Sequence, residues 1–218
     1  MSGCCDPSGY WREFNERTAR RNAEAYKRNG LDPAARRLVT HLRGEGLSGA
    51  TVLEVGGGIG SVLLELLRAG AARATNVELS PEYETVATDL AREAGLADRI
   101  ERRVGDFAQI AATVEPADVV VLHRVVCCYP DLDRLLGSAA DRARRALALT
   151  FPRDALWTRL ALPLGNAWFG LTRCPFRVFL HAPERIERIA AARGLRPAFR
   201  HTGLIWQSAV YARRRVPT

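Results

Sequence analysis

The sequence predicts an α/β domain built on a parallel sheet with helices on both faces. Three observations lead there. From residue 50 onward, short apolar runs alternate with helical stretches. A glycine-rich turn joins the first run to the helix after it. Hydrophobic residues make up 47% of the 218 positions, enough for a sizeable core.

The elements follow in order. Residues 10–30 and 34–44 read as two helices; Asp32 is a natural cap for the second, and Pro33 suits its first turn. "ATVLEV" (50–55) is a strand, and "SVLLELLRAG" (61–70) is a helix closed by Gly70. "RATNVEL" (73–79) is the next strand, and 80–96 is a helix opened by Ser80, Pro81 and Glu82. "RIERRVGD" (99–106) and the valine-rich "ADVVVLH" (117–123) are strands, 131–143 is a helix, and "RRALALTF" (144–151) is the fifth strand. Residues 153–177 read as irregular and aromatic, with Pro163 and Pro175 breaking any regular pattern. A helix over 181–195 and two strands, 196–203 and 204–214, close the chain. The organisation expected is an N-terminal helical cap (1–48) and one domain (49–213) carrying 153–177 as a lid-like insertion.

Charge narrows the function less than its size suggests. The net charge is +8, but the arginines are scattered in short pairs and Lys27 is the sole lysine. A solvated basic surface explains this better than a nucleic-acid footprint, which needs a concentrated stripe. The N-terminus lacks the basic start and apolar core of a secretory leader. The longest mainly apolar stretch, 160–171, spans 12 residues and is broken by Pro163, Gly165 and Asn166, too short for a membrane crossing. The expectation is a cytoplasmic protein whose five cysteines form no disulfide framework.

The sharpest motif is "VLEVGGGIGS" (52–61), between a strand and a helix, where glycines let a ligand approach the backbone. A nicotinamide-type G-x-G-x-x-G does not fit: counted from Gly56 the last position is Ser61, and from Gly58 it is Leu63. An acidic residue, a spacer and G-x-G-x-G does fit, as Glu54, Val55, Gly56, Gly57, Gly58, Ile59 and Gly60. Glu78 ends the second strand beside Leu79, and a "GD" (Gly105, Asp106) followed by Phe107 ends the third.

This set resembles motif I and the following strand ends of the class I S-adenosylmethionine-dependent methyltransferases, over residues 50 to about 151. The resemblance implies a Rossmann-like seven-stranded, mostly parallel sheet of order 3-2-1-4-5-7-6 with the last strand antiparallel. It implies S-adenosylmethionine as cofactor, held by Glu54, Gly56, Gly57, Gly58, Gly60, Glu78, Leu79, Asp106, Phe107 and His123. Glu78 would take both ribose hydroxyls, a task suited to a carboxylate, while Asp106 and Phe107 flank the adenine. Glu54 has a second reading, as a cap for the backbone amides of the glycine loop.

Ligands of open α/β sheets sit at the carboxyl ends of the strands, where strand order reverses. The implied order therefore sets His123, Arg124 and Val125 at the mouth of the crevice. His123 is the candidate substrate contact or general base, with a packed, backbone-bonded histidine as the alternative. Cys127 and Cys128 follow; adjacent cysteines do not have zinc-site spacing, so no metal is expected and the pair is read as wall.

The acceptor is read from the variable parts. Tyr10, Trp11, Tyr26, Arg124, Trp157 and Trp168 are the candidate substrate residues. They suggest a small, apolar, anionic methyl acceptor modified on oxygen, with N- or S-methylation as the alternative. A weaker likeness, Phe14-Asn15 and Ala25-Tyr26 before the first strand, is to magnesium-protoporphyrin O-methyltransferases, without their substrate being carried over. Two rivals from other classes remain, a non-catalytic S-adenosylmethionine-binding sensor and an NAD-dependent oxidoreductase, and the basic surface keeps an RNA methyltransferase open.

Overall fold

The computed structural model describes residues 13–171 and 176–214, without the side chains of 168–170. Seven strands form one sheet: β1 (Thr51–Val55), β2 (Arg73–Glu78), β3 (Ile100–Val104), β4 (Ala117–His123), β5 (Ala143–Pro152), β6 (Leu195–Thr202) and β7 (Trp206–Arg213). Their order is β3-β2-β1-β4-β5-β7-β6, as the resemblance implies. β3, β2, β1, β4 and β5 pair in parallel, and β7 runs antiparallel to both β5 and β6.

The helices are α1 (Glu16–Asn29), α2 (Pro33–Gly44), α3 (Ser61–Arg68), α4 (Glu84–Glu93), the single turn α5 (Phe107–Ile110), α6 (Leu132–Arg142), α7 (Leu156–Leu171) and α8 (Pro183–Ala191). Their ends follow local chemistry. Asn15 caps α1 by accepting from the Thr18 amide at 3.0 Å, and Gly30, with φ at 69°, ends it. Asp32 caps α2 through the Ala34 and Ala35 amides, with Pro33 in the first turn. Asp131 caps α6 in the same way.

Alternation along the strands divides the core between the two faces. Leu53, Val77, Val120, Leu122, Leu147 and Leu149 pack with α6 and α8 residues such as Leu136 and Ile186. Val52, Val119, Val121 and Ala148 pack on the other face with Leu38 and Leu42 of α2, Leu63 of α3 and Leu90 of α4. Each such leucine, removed from water, stabilises the fold by about 1.5–3 kcal/mol. α1 and α2 thus share a core with the sheet.

Three details differ from the sequence reading. Residues 156–171, expected to be irregular, form a helix that continues through Pro163. The stretch opened by Ser80 begins with a 3₁₀ turn (Pro81–Tyr83) before α4. A short helix, α5, starts at Phe107, because Asp106 accepts from the Ala108 amide at 3.0 Å and so acts as a cap. Among the described residues, no helix is long and apolar enough to cross a membrane.

Candidate active site

The glycine loop leaves β1 in a conformation that side chains resist. Gly56, Gly58 and Gly60 have φ of 63°, 55° and 77°. Gly57 needs its missing side chain for space instead: a Cβ there would lie 2.1 Å from Asn76 Nδ2 and 2.5 Å from Glu54 Oε2. Backbone therefore forms the cavity wall at this point.

Register sets the groups beneath the loop. Glu54 of β1 pairs with Asn76 of β2, and Asn76 Nδ2 donates to Glu54 Oε2 at 3.3 Å. Glu54 is fully buried, and desolvation pushes its carboxyl up to about 8 against the pull of Arg102. Neither Glu54 nor Gly60 lines the cavity. Asn76 Oδ1 is buried with no partner.

Glu78 ends β2 on the cavity wall. Its Oε2 accepts from the Gly58 amide at 2.8 Å and its Oε1 from the Ser80 amide at 3.0 Å. Burial raises its pKa, while these amides and Arg102 favour the charged form. Arg102 was missed by sequence reasoning. From β3 it donates to the Gly58 carbonyl at 3.1 Å and to Glu84 at 2.8 Å, so Gly58 is held at both its amide and its carbonyl. The available signal was the Arg102-Arg103 pair on one strand, since neighbouring strand residues point to opposite faces.

Beside the third strand, Asp106 accepts from Gln109 Nε2 at 2.9 Å and from the Tyr129 hydroxyl at 3.1 Å. Phe107 is buried, and Leu79, Asp106 and Phe107 all line the cavity.

Register also pairs His123 of β4 with Thr150 of β5. His123 Nδ1 lies 2.8 Å from Thr150 Oγ1, and Nε2 lies 2.9 Å from Asp32 Oδ2. Asp32 therefore does more than cap α2. Burial opposes its ionisation, but the His123 hydrogen bond, the Arg124 charge and the Ala35 amide together hold it well below the usual carboxylate range. Arg124 has a left-handed φ of 59°, uncommon for a side-chain-bearing residue and concentrated at functional sites. Its amide donates to Thr150 Oγ1 at 2.8 Å, its guanidinium reaches Asp32 Oδ1 at 3.2 Å, and it stacks 4.7 Å over the Trp206 ring.

A cavity of about 610 Å³ joins these parts, running from Glu78 and Asp106 past His123 and Arg124 to Asn22, Tyr26 and Arg36 of the N-terminal helices. The Tyr26 hydroxyl is committed to Glu65, donating at 2.6 Å, so its ring is what faces the cavity. Trp157 is partly exposed and does not line the cavity. Tyr10, Trp11, Cys4 and Cys5 lie outside the described residues, as does the side chain of Trp168. Cys127 is buried and Cys128 lines the cavity, their sulfurs 3.7 Å apart. The hydrogen bond to Cys127, with burial, pushes the Cys128 thiol up, which keeps it protonated as a wall group is.

Known proteins share parts of this sequence and fold. Residues 52–148 match the model of a methyltransferase domain. Ribosomal protein L11 methyltransferase of Serratia proteamaculans (strain 568) is 31% identical over 150 residues, 66% of this chain and 51% of that protein. The same enzyme of Edwardsiella ictaluri (strain 93-146) is 28% identical over 124 residues, 54% of this chain and 42% of that protein. The chain thus spans about half the length of these curated relatives. Among solved structures, magnesium protoporphyrin IX methyltransferase from Synechocystis PCC 6803, with bound S-adenosylhomocysteine (SAH), superposes with a TM-score of 0.75 at 20% identity, covering 95% of this chain and 98% of that one.

Proposed function

We propose that this chain, which carries a class I S-adenosylmethionine-dependent methyltransferase domain, methylates a hydroxyl of a small, largely apolar molecule. The residues present fit the cofactor of this class. Gly56, Gly57 and Gly58 put bare backbone against the cavity, and the Glu78 carboxylate at its edge suits two vicinal hydroxyls. When bound, S-adenosylmethionine supplies an electrophilic methyl group on a sulfonium for in-line displacement.

The observation that carries the acceptor reading is the Asp32–His123–Thr150 chain, in which Asp32 and His123 line the cavity and Thr150 is buried behind them. With Asp32 ionised, His123 Nε2 carries a proton directed at it, and Thr150 donates to Nδ1. An acceptor hydroxyl that takes the place of Asp32 as partner of Nε2 reverses this tautomer. Thr150 Oγ1 then accepts from both Nδ1–H and the Arg124 amide through its two lone pairs. Nε2 is left free to take the hydroxyl proton as the oxygen gains the methyl group. The nearby Asp32 carboxylate stabilises the imidazolium that results. Apolar lining from Val55, Phe14 and the Tyr26 ring, with Arg36 and Arg124 in the same cavity, favours an apolar acceptor bearing an anionic group.

The test is turnover of a panel of phenols and hydroxylated acids with S-adenosylmethionine, read by mass. The expected result is a product one methylene heavier. Asp32→Asn keeps a good helix cap but loses the charge, and should lower kcat by about tenfold to a hundredfold with unchanged SAH affinity. His123→Ala should cost about a hundredfold or more. Transfer confined to a protein acceptor, as in the relatives named for ribosomal protein L11, would overturn the small-molecule reading.

A further inference from the structure

We propose that the outer face of α7 docks the protein onto an anionic membrane surface. Leu156, Leu160, Leu164 and Leu171 are 76%, 64%, 73% and 79% exposed. At 3.6 residues per turn they fall, with the half-exposed Trp157, within about 100° of arc, one continuous apolar stripe. The patch extends beyond the helix. The Arg153 amide donates to the Ile205 carbonyl at 2.7 Å, which sets the β6–β7 turn beside the start of α7, and Leu204 and Ile205 there are 75% and 51% exposed. Scattered exposed leucines need no explanation, but a contiguous patch of this kind does.

The opposite side of the helix is fastened down. Thr158 is buried, and Asn166 makes two bonds to the Val178 backbone, at 2.8 and 2.9 Å. The apolar stripe is therefore held outward, and among the described side chains none of α7 lines the cavity that it would need to cover as a lid. With 16 residues α7 is short of the roughly 20 that a crossing requires, so it lies on a surface instead of spanning one.

Charge selects the occupant. The described residues of 153–183 include Arg153, Arg159 and Arg177 against one acid, Asp154, which pairs with Arg159 at 2.6 Å, in a chain of net charge +8. Two copies of a chain with net charge +8 repel each other, whereas acidic lipid headgroups attract it. Leucine, tryptophan and arginine are also the residues that interfacial helices present to the headgroup boundary.

The experiment is co-sedimentation of the full chain with phosphatidylglycerol–phosphatidylcholine vesicles, with phosphatidylcholine alone as the comparator. The wild type should sediment with the anionic vesicles only, and less at high salt. A Leu160→Asp/Leu164→Asp variant should bind them about tenfold more weakly or not at all, while SAH binding and thermal melting are unchanged. A wild type that stays in the supernatant, or a variant that sediments like it, overturns the proposal. So does a dimer that the double variant abolishes without any vesicle binding, which would assign the face to a second copy.

Discussion

Glu54 is a carboxyl group with almost no access to water, and its proton follows from that. Its folded pKa of about 8 stands against an ordinary value of 4.5. Between these values the native state keeps a proton that the unfolded chain has released, so stability falls as pH rises through this window. Glu54→Gln mimics the protonated form and removes the linkage. Denaturation midpoints should match the wild type near pH 5 and exceed it near pH 8; parallel profiles for the two proteins would refute this. The sequence marked Glu54 as a motif residue but left open whether it touches the cofactor or supports the loop, because burial depends on neighbours far along the chain. Asp32 shows the same limit. Its capping role is written in the Asp-Pro pair that opens α2, but its contact with His123 requires α2 to lie against the end of β4.

The glycine loop is where local sequence and tertiary space meet. Its left-handed glycines were legible as a turn, whereas the reason for Gly57 is the buried Asn76 and Glu54 side chains beneath it. Gly57→Ala must displace one of them, and should lose about 1–3 kcal/mol of stability together with SAH binding. Gly44→Ala, with open space around its Cβ and no left-handed φ, should be close to neutral. Equal melting temperatures for the two variants would sink the packing explanation. β1, β4 and β5 were readable because buried parallel strands are short apolar runs bounded by turn residues. α7 was not. Pro163 and Gly165 weaken any helix pattern, and here the helix carries both.

The whole sheet decides where chemistry sits. β1 lies between β2 and β4, so the glycine loop, Glu78 and His123 come from three strands and reach one cavity at their carboxyl ends. α1 and α2 add Asn22, Tyr26, Asp32 and Arg36 to the lining of the same cavity. The lining that comes from the strand ends was legible because its residues follow those ends in a fixed order. The lining from the N-terminal helices was legible only in part: Tyr26 was singled out, Asp32 was marked as a cap alone, and Asn22 and Arg36 carry no pattern that marks them. Calorimetric titration with SAH, with NAD as comparator, on the wild type and Glu78→Ala tests this arrangement most directly. SAH should bind the wild type with a Kd on the order of micromolar, NAD should not bind, and Glu78→Ala should lose SAH binding while keeping its fold. Binding of NAD in preference to SAH, or undiminished SAH binding by the folded variant, would contradict it.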